Sequence, residues 1–407
     1  MHYIARCYLR KVFAKRLHSE QFMSEVLKIP LRTLQLGMGW FKEQPGGLDR
    51  VYFELFRYLP EVGVEARGLM VGSSNVAEQT GGRVRAFTPT DAPLWQRWRG
   101  VRREMVAMTE DFHPQLVASH FALYTYPILR QIKVPLVVHF HGPWADESAL
   151  EGGQGAARLV KKFIETAVYR RAQRLICLSK AFATLLVTCY GVDPERVRII
   201  PGGIDGDRFA RVPDRRVARA RLGWPQDRPI VFCVRRLVRR MGLEDLIEAI
   251  IEVRRYVPDV LLLIGGRGPL ADELGGRIAA LSLNNHVRLL GFLSDEDLPL
   301  AYRAADISVV PTVALEGFGL IAAESLAAGT PVLVTPVGGL PEVVRDLSAN
   351  LVLPSTGPSA LAEGISSAFR GDLVLPSAEV CQVFAHKRYD WSNIAVRVRV
   401  VYEEALA

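Results

Sequence analysis

The sequence predicts an α/β protein made of two successive parallel-sheet halves. Three observations carry that reading. Short apolar runs alternate with helical stretches, the alternation restarts after a polar segment near the middle, and 407 residues are long for a single core. In the first half, 31–36, 116–119, 135–140, 175–179 and 197–201 read as strands. After the first strand comes a Gly-rich loop holding Trp40, and 49–59 reads as a helix. The segment 205–227 is polar and carries Pro213 and Pro225, which separates the halves. Strands resume at 229–234, 260–264, 287–290, 307–310 and 332–334, with no internal repeat and no low-complexity tract.

Composition narrows the function classes. An apolar fraction of 49% with 23% charged residues is that of a globular domain. No stretch of about 18 uninterrupted apolar residues occurs, so no membrane span is expected, and no signal peptide is recognisable. Cys7, Cys177, Cys189, Cys233 and Cys381 are scattered without C-x-x-C spacing. They read as reduced small hydrophobes in a cytoplasmic protein, neither metal ligands nor a disulfide framework.

The net charge is +8. Basic chains bind nucleic acid, anionic membrane surfaces or phosphorylated substrates. No nucleic-acid signature is present, so no nucleic-acid partner is expected. The charge clusters in three places: Arg6, Arg10, Lys11, Lys15 and Arg16; Arg97, Arg99, Arg102 and Arg103 around Trp95 and Trp98; and Lys161, Lys162, Arg170, Arg171 and Arg174 on a helical stretch. Basic residues beside aromatics suit a membrane interface, whereas the third group reads equally as a solvated helix face. Residues 1–29 precede the first strand. They read either as an amphipathic surface anchor or as residues ahead of a true start at Met23.

The most informative segment is Glu316-Gly317-Phe318-Gly319-Leu320-Ile321-Ala322-Ala323-Glu324. It follows an apolar run closed by Pro311 and leads into a helical run stopped at Gly329 and Pro331, so it reads strand, Gly-rich turn, helix, strand. Glycines let backbone N–H groups approach an anion, and a helix start favours negative charge. Glu324 is a suitable acceptor for the two hydroxyls of a ribose. Phosphate on the turn, ribose on Glu324 and a polyol near Glu316 together describe a nucleotide sugar. The plain alternative is two glutamates flanking an ordinary turn.

These residues do not stand alone. Ala301-Tyr302-Arg303-Ala304-Ala305-Asp306, Pro311-Thr312, the Glu316–Glu324 block, Ala327-Ala328-Gly329-Thr330-Pro331-Val332 and Val337-Gly338-Gly339-Leu340-Pro341-Glu342 occur in that order. Upstream lie Tyr190-Gly191-Val192, Ile200-Pro201-Gly202-Gly203-Ile204-Asp205 and Arg235-Arg236-Leu237. Over roughly residues 30 to 400 the chain resembles the family 4 retaining glycosyltransferases. The resemblance implies a GT-B fold, two Rossmann-like domains facing each other across a cleft. Expected boundaries are 1–29 for a basic extension, 30–205 for the acceptor-side domain, 206–385 for the donor-binding domain, and 386–407 for a C-terminal helix returning to the first domain.

The resemblance also assigns roles. His141, in Val138-His139-Phe140-His141-Gly142, fits the family histidine that approaches the transferred sugar. His139 is its neighbour, and a metal pair lacks a third ligand. Pro45-Gly46-Gly47 would let Gly46 and Gly47 contact a diphosphate or the acceptor. The family places an Arg, and five residues on a Lys, against the diphosphate, because charge builds on that leaving group. Here Arg236 fits the Arg, but Met241 stands where the Lys belongs. Arg240 or Arg239 reaches the phosphate instead, or the site runs with one cation fewer, or the donor differs. Gly266 lies in the expected loop Gly265-Gly266-Arg267-Gly268, with Arg267 a further candidate cation. Gly202 replaces the usual Asn. Catalytic expectations are therefore His141, Arg236 and Glu316. Donor-binding expectations are Gly46, Gly47, Arg240, Gly266, Gly317, Phe318, Gly319, Leu320 and Glu324.

The implied activity is retaining, metal-independent hexosyl transfer from a nucleotide diphosphate sugar, with no cofactor, to a saccharide or lipid-linked acceptor in polysaccharide or glycolipid synthesis. No carboxylate pair of the glycosidase type is evident. The alternatives are a nucleotide-sugar epimerase, a phosphorylase, for which no pyridoxal lysine is marked, and a non-catalytic binding protein. A peripheral position on the inner membrane face is expected.

Overall fold

The computed structural model describes residues 30–44, 46–150 and 155–407. The basic extension, Met23, Cys7 and Pro45 lie outside the described residues. The remainder forms two compact units. One runs to Val137 and includes Val398–Ala407, and the other is Val138–Arg397.

In the first unit, β1 (Leu31–Leu36) pairs in parallel with β2 (Val64–Val71) and β4 (Leu116–Ser119), and β3 (Val84–Thr88) pairs with β2. The order is β3-β2-β1-β4. β1 is buried on both faces beyond Arg32, as a central parallel strand should be. Its polar Thr33 and Gln35 are buried but satisfied: Gln35 Nε2 donates to Thr33 Oγ1 at 2.9 Å, and Tyr402 Oη donates to Gln35 Oε1 at 3.3 Å. Arg399, one turn before Tyr402, donates to the Val62 carbonyl. The helix Gly47–Tyr58 turns Val51, Tyr52, Leu55 and Phe56 inwards. Gly68 in β2 makes room for it, because a Cβ there would clash with Tyr52 Oη and the Phe56 ring. Strands β2 and β3 escape the sequence reading. Glu65 and Arg67 break up β2, and Arg85 breaks up β3, so neither shows a continuous apolar run.

In the second unit, β6 (Arg174–Cys177) pairs in parallel with β7 (Val197–Ile199). Five further parallel strands follow: β8 (Ile230–Val234), β9 (Leu261–Gly265), β10 (Val287–Gly291), β11 (Ile307–Val310) and β12 (Val332–Val334). Their order is β10-β9-β8-β11-β12. The chain order therefore reverses between β8 and β11. In open parallel sheets such a switch point opens a crevice at the carboxyl ends of the two strands. The segments leaving β8 and β11 are those that carry Arg235 and Glu316. Beneath them the core is continuous, drawn from Val231, Phe232, Leu262, Val309, Leu333, Leu246 and Ile250 among others.

The architecture is thus α/β with two Rossmann-like parallel sheets. Cys177, Cys233 and Cys381 are buried and Cys189 is exposed, all unpaired. Among the described residues no helix is long and apolar enough to cross a membrane.

Candidate active site

The turn after β11 does what its glycines require. The helix Leu320–Ala327 begins behind Gly319, whose φ of 87° lies in the left-handed region that glycine tolerates. Leu315 also sits at a positive φ, 50°. That costs a non-glycine residue about 1–2 kcal/mol, and it turns the Leu315 carbonyl towards Arg240, whose Nη1 donates to it at 2.9 Å.

Glu316 projects into a cationic setting. Arg235 Nη2 donates to Glu316 Oε2 and, at 2.5 Å, reaches Thr312 Oγ1. Thr312 in turn donates to the same carboxylate oxygen at 3.4 Å. Burial alone would push the Glu316 carboxyl up. The Arg235 charge and hydrogen bond, the Arg240 charge and the Thr312 hydroxyl outweigh it and hold the group below its ordinary value. Glu316 is therefore a carboxylate at neutral pH.

Glu324 is buried on the helix and accepts from Tyr302 Oη at 3.1 Å. Phe318 places its side chain in the core, edge-on to Tyr389 with ring centroids 5.3 Å apart, so only its backbone faces the turn. Gly317 passes close to Phe182, and Leu320 is half-buried.

The arginines around the turn take different positions. Arg236 is exposed, and it is its neighbour Arg235 that reaches Glu316. Arg239 turns outwards to Glu244 and Glu273. Arg240 comes beside Glu316 and lies 3.7 Å from Glu147. Met241, at the position of the expected lysine, is 5% exposed and belongs to the core. Of the two arginines offered as its substitute, Arg240 is the one beside Glu316. Arg267 sits over Phe292 at 5.1 Å. Gly266 donates its N–H to Gly291 O at 2.7 Å, and a Cβ on it would strike the Arg235 carbonyl. In this structure it lets two loops pack and does not offer its amide outwards.

The histidine loop leaves β5 (Leu136–Phe140). His139 and His141 stack at 6.3 Å. Burial pushes the His141 imidazole down to about 4 and that of His139 well below its ordinary value, so both are neutral at physiological pH. The following helix, Trp144–Leu150, is anchored by Glu165, which accepts from Ala145 N at 3.3 Å, Tyr169 Oη at 3.2 Å and Tyr190 Oη at 3.0 Å. Burial pushes Glu165 up to about 7 against those hydrogen bonds.

In the first unit Gly46 precedes the helix Gly47–Tyr58, and Gly47 has open space where a side chain would stand. Asp49 folds the loop over, accepting from Gly39 N at 2.9 Å, and burial pushes it up to about 6. Among the described residues no group of three or more His, Cys, Asp or Glu could hold a metal ion.

From the sequence, Arg235 and Thr312 carry no assigned role and stand only within quoted motifs, and Glu147, Glu165 and Asp49 are not marked as site residues. The available signal for Arg235 was a pair of adjacent arginines at a strand end, where successive side chains point to opposite sides. Of the partners of Glu165, Tyr169 lies one helical turn on, whereas Ala145 and Tyr190 are 20 and 25 residues away, beyond any local pattern.

Comparison with known proteins agrees with this architecture. The family description Glycosyl transferases group 1 matches residues 214–387, and Glycosyltransferase Family 4 matches 45–208. D-inositol 3-phosphate glycosyltransferase of Streptomyces scabiei is 32% identical over 314 residues, covering 72% of this chain and 69% of that protein. Phosphatidyl-myo-inositol mannosyltransferase of Mycobacterium tuberculosis is 34% identical over 210 residues, 50% of this chain and 53% of that one. Sucrose-phosphate synthase from Thermosynechococcus elongatus superposes with a TM-score of 0.77 at 21% identity, over 92% of this chain and 98% of that one. Anabaena HepE in complex with UDP-glucose superposes at 0.73 with 23% identity, over 92% and 99%. The two structural likenesses speak to fold, while the identity and coverage of the Streptomyces relative speak to family. The chain belongs to the family 4, group 1 glycosyltransferases.

Proposed function

We propose that this glycosyltransferase moves a hexosyl group from a nucleotide diphosphate sugar to an acceptor hydroxyl with retention and without a metal ion. The observation that carries the reading is the ionised Glu316 set between Arg235 and Arg240 at the switch point of the second sheet. Guanidinium charge beside a carboxylate suits a ligand that is phosphate at one end and polyol at the other. In this scheme Arg236 and Arg240 stabilise the departing diphosphate. Glu324 binds the ribose. Glu316 accepts from hydroxyls of the transferred sugar. Neutral His141 approaches the same sugar as a hydrogen-bonding group. Gly46, Gly47, Gly317, Gly319 and Leu320 contribute backbone contacts. The acceptor oxygen forms its bond to the anomeric carbon as the sugar–phosphate bond breaks on the same face, and the departing phosphate oxygen takes the acceptor proton. The division into an acceptor domain 30–205 and a donor domain 206–385 is supported by the two family matches, which end at 208 and begin at 214.

The relatives named above act on inositol phosphate or phosphatidylinositol, and HepE was solved with UDP-glucose. These names support a nucleotide-sugar donor and a saccharide or lipid-linked acceptor here, and they favour transfer over the epimerase and non-catalytic alternatives. A peripheral position on the inner, cytoplasmic membrane face is part of the proposal. The helix Leu94–Phe112 exposes Trp95, Arg99, Arg102, Arg103 and Val106, spaced to share one side, while Val101, Met105 and Met108 are buried. The test of function is a thermal-shift screen of nucleotide sugars, since a bound donor raises apparent stability by mass action. Release of nucleoside diphosphate with acceptor present then follows. Donor stabilisation with no release under any acceptor would favour the binding protein.

A further inference from the structure

We infer that Arg235 is a positioning residue for the transfer reaction: it fixes the charge and orientation of Glu316, and this rests on the reading of Glu316 given above. The placement of the two residues supports it. Arg235 follows β8, Glu316 follows β11, and these strands are neighbours at the point where the chain order reverses. The Arg235 side chain is 8% exposed and that of Glu316 is 14% exposed, so the pair is largely shielded from solvent.

The bonding pattern separates Arg235 from an arginine that staples the fold. Arg219, 5% exposed, spends Nε on Ala304 O at 2.8 Å, Nη1 on the carbonyls of Pro225, Gln226 and Arg228, and Nη2 on Asp306 at 2.8 Å. Every edge of that guanidinium holds the chain together. Arg235 does the opposite. Among the described residues its side chain bonds through Nη2, to Glu316 and Thr312, and its buried Nε meets no hydrogen-bond partner. An unsatisfied buried donor is a cost to folding, and the ion pair with Glu316 is what Arg235 supplies in exchange.

The groups facing Glu316 can be named element by element. Arg235 comes from the end of β8. Arg240 comes from the 3-10 turn Arg239–Met241, with Glu147 3.7 Å from its guanidinium. Thr312 comes from the segment after β11, and Gly339 donates its N–H to the Glu316 carbonyl at 2.9 Å. Arg235 both touches the carboxylate and lowers its affinity for a proton, and burial opposes it. Without Arg235, burial gains weight. Glu316 then holds its proton to higher pH, and a protonated Glu316 is no longer a purely accepting partner for sugar hydroxyls.

The experiment is carboxyl ¹³C NMR of the full chain labelled at glutamate, with Glu316→Gln assigning the resonance. In the wild type Glu316 titrates below the ordinary glutamate range. In Arg235→Gln its midpoint moves up by about 1–3 pH units, the span that an opposite charge at contact imposes. In Arg235→Lys, which keeps the charge, most of the shift is recovered. Thermal melting checks that each variant is folded. An unmoved Glu316 midpoint in folded Arg235→Gln overturns the proposal. A second arm follows UDP release from UDP-glucose against pH. An acid limb that tracks the NMR midpoint across the three proteins supports the positioning role. A midpoint that moves while the limb stays put shows that Arg235 controls Glu316 but that Glu316 is outside the reaction, which overturns the functional reading on which the inference rests.

Discussion

The Tyr302 hydroxyl donates to the Glu324 carboxylate at 3.1 Å, joining the helix Asp297–Ala304 to the helix that carries the second glutamate of the motif. A carboxylate offers about four lone-pair positions, so this bond fixes the rotamer of Glu324 without using up its accepting capacity. Tyr302 thus holds the proposed ribose acceptor still. Glu324→Ala is expected to weaken donor binding by about 1–3 kcal/mol, the worth of a hydrogen bond to a charged group with its desolvation. Tyr302→Phe should weaken it less, because the carboxylate remains. Calorimetric titration with the donor found by thermal shift measures both. Equal affinity in Glu324→Ala and wild type would remove the ribose assignment.

Arg240 stands beside Glu316, close to where the family lysine is missing. Arg240→Ala should lower turnover by roughly 2.7–4 kcal/mol of barrier, about 10²–10³-fold, which is typical for one charge-stabilising contact. Arg239→Ala should be near wild type, since Arg239 is exposed and paired with Glu244 and Glu273. Initial rates at saturating donor decide this. A mild Arg240 phenotype with a severe Arg239 one would reverse the assignment.

Glu165 predicts a pH dependence of folding. Burial raises its carboxyl from 4.5 in the unfolded chain to about 7. A raised folded value means its contribution to stability is complete below about pH 4.5 and is lost as pH rises through about 7. The loss is about 3 kcal/mol, at roughly 1.4 kcal/mol per pH unit between the two values. In Glu165→Gln the decline between pH 5 and pH 8 should shrink by about that amount. Urea unfolding at the two pH values measures it, and parallel declines in both proteins would show that Glu165 does not carry the effect.

The exposed side of the helix Leu94–Phe112 predicts salt-sensitive adhesion to anionic lipid. Each basic residue near such a surface contributes roughly 1 kcal/mol. Replacing Arg99, Arg102 and Arg103 together by Gln should therefore weaken vesicle binding by about 3 kcal/mol. Wild-type binding should itself fall as salt rises and the Debye length shortens. Sedimentation with anionic and with neutral vesicles, at low and high salt, provides the comparison. A shortened chain beginning at Met23, carried through the same sedimentation, reports on the basic extension. Equal binding to both vesicle types would end the membrane proposal.

Much of this protein was legible in its sequence. The runs at 31–36, 307–310 and 332–334 coincide with β1, β11 and β12, because Leu, Ile and Val dominate strands buried on both faces, even where Thr33, Gln35 and Ser308 interrupt them. Glu316, Glu324 and the glycines between them could be found because a strand–turn–helix unit keeps its residues close along the chain. β2 and β3 were hidden by Glu65, Arg67 and Arg85. Tertiary structure alone decided that Arg235 bonds Glu316 and that Arg240, with Arg239 turned to Glu244 and Glu273, lies beside it. It also supplied Tyr302 to Glu324 and Tyr190 to Glu165. Spacing along the chain specifies neighbours within an element. Arg235 and Glu316 are 81 residues apart and meet because β8 and β11 pair across the reversal of the sheet, a relationship that pairing between distant strands creates and no local pattern records.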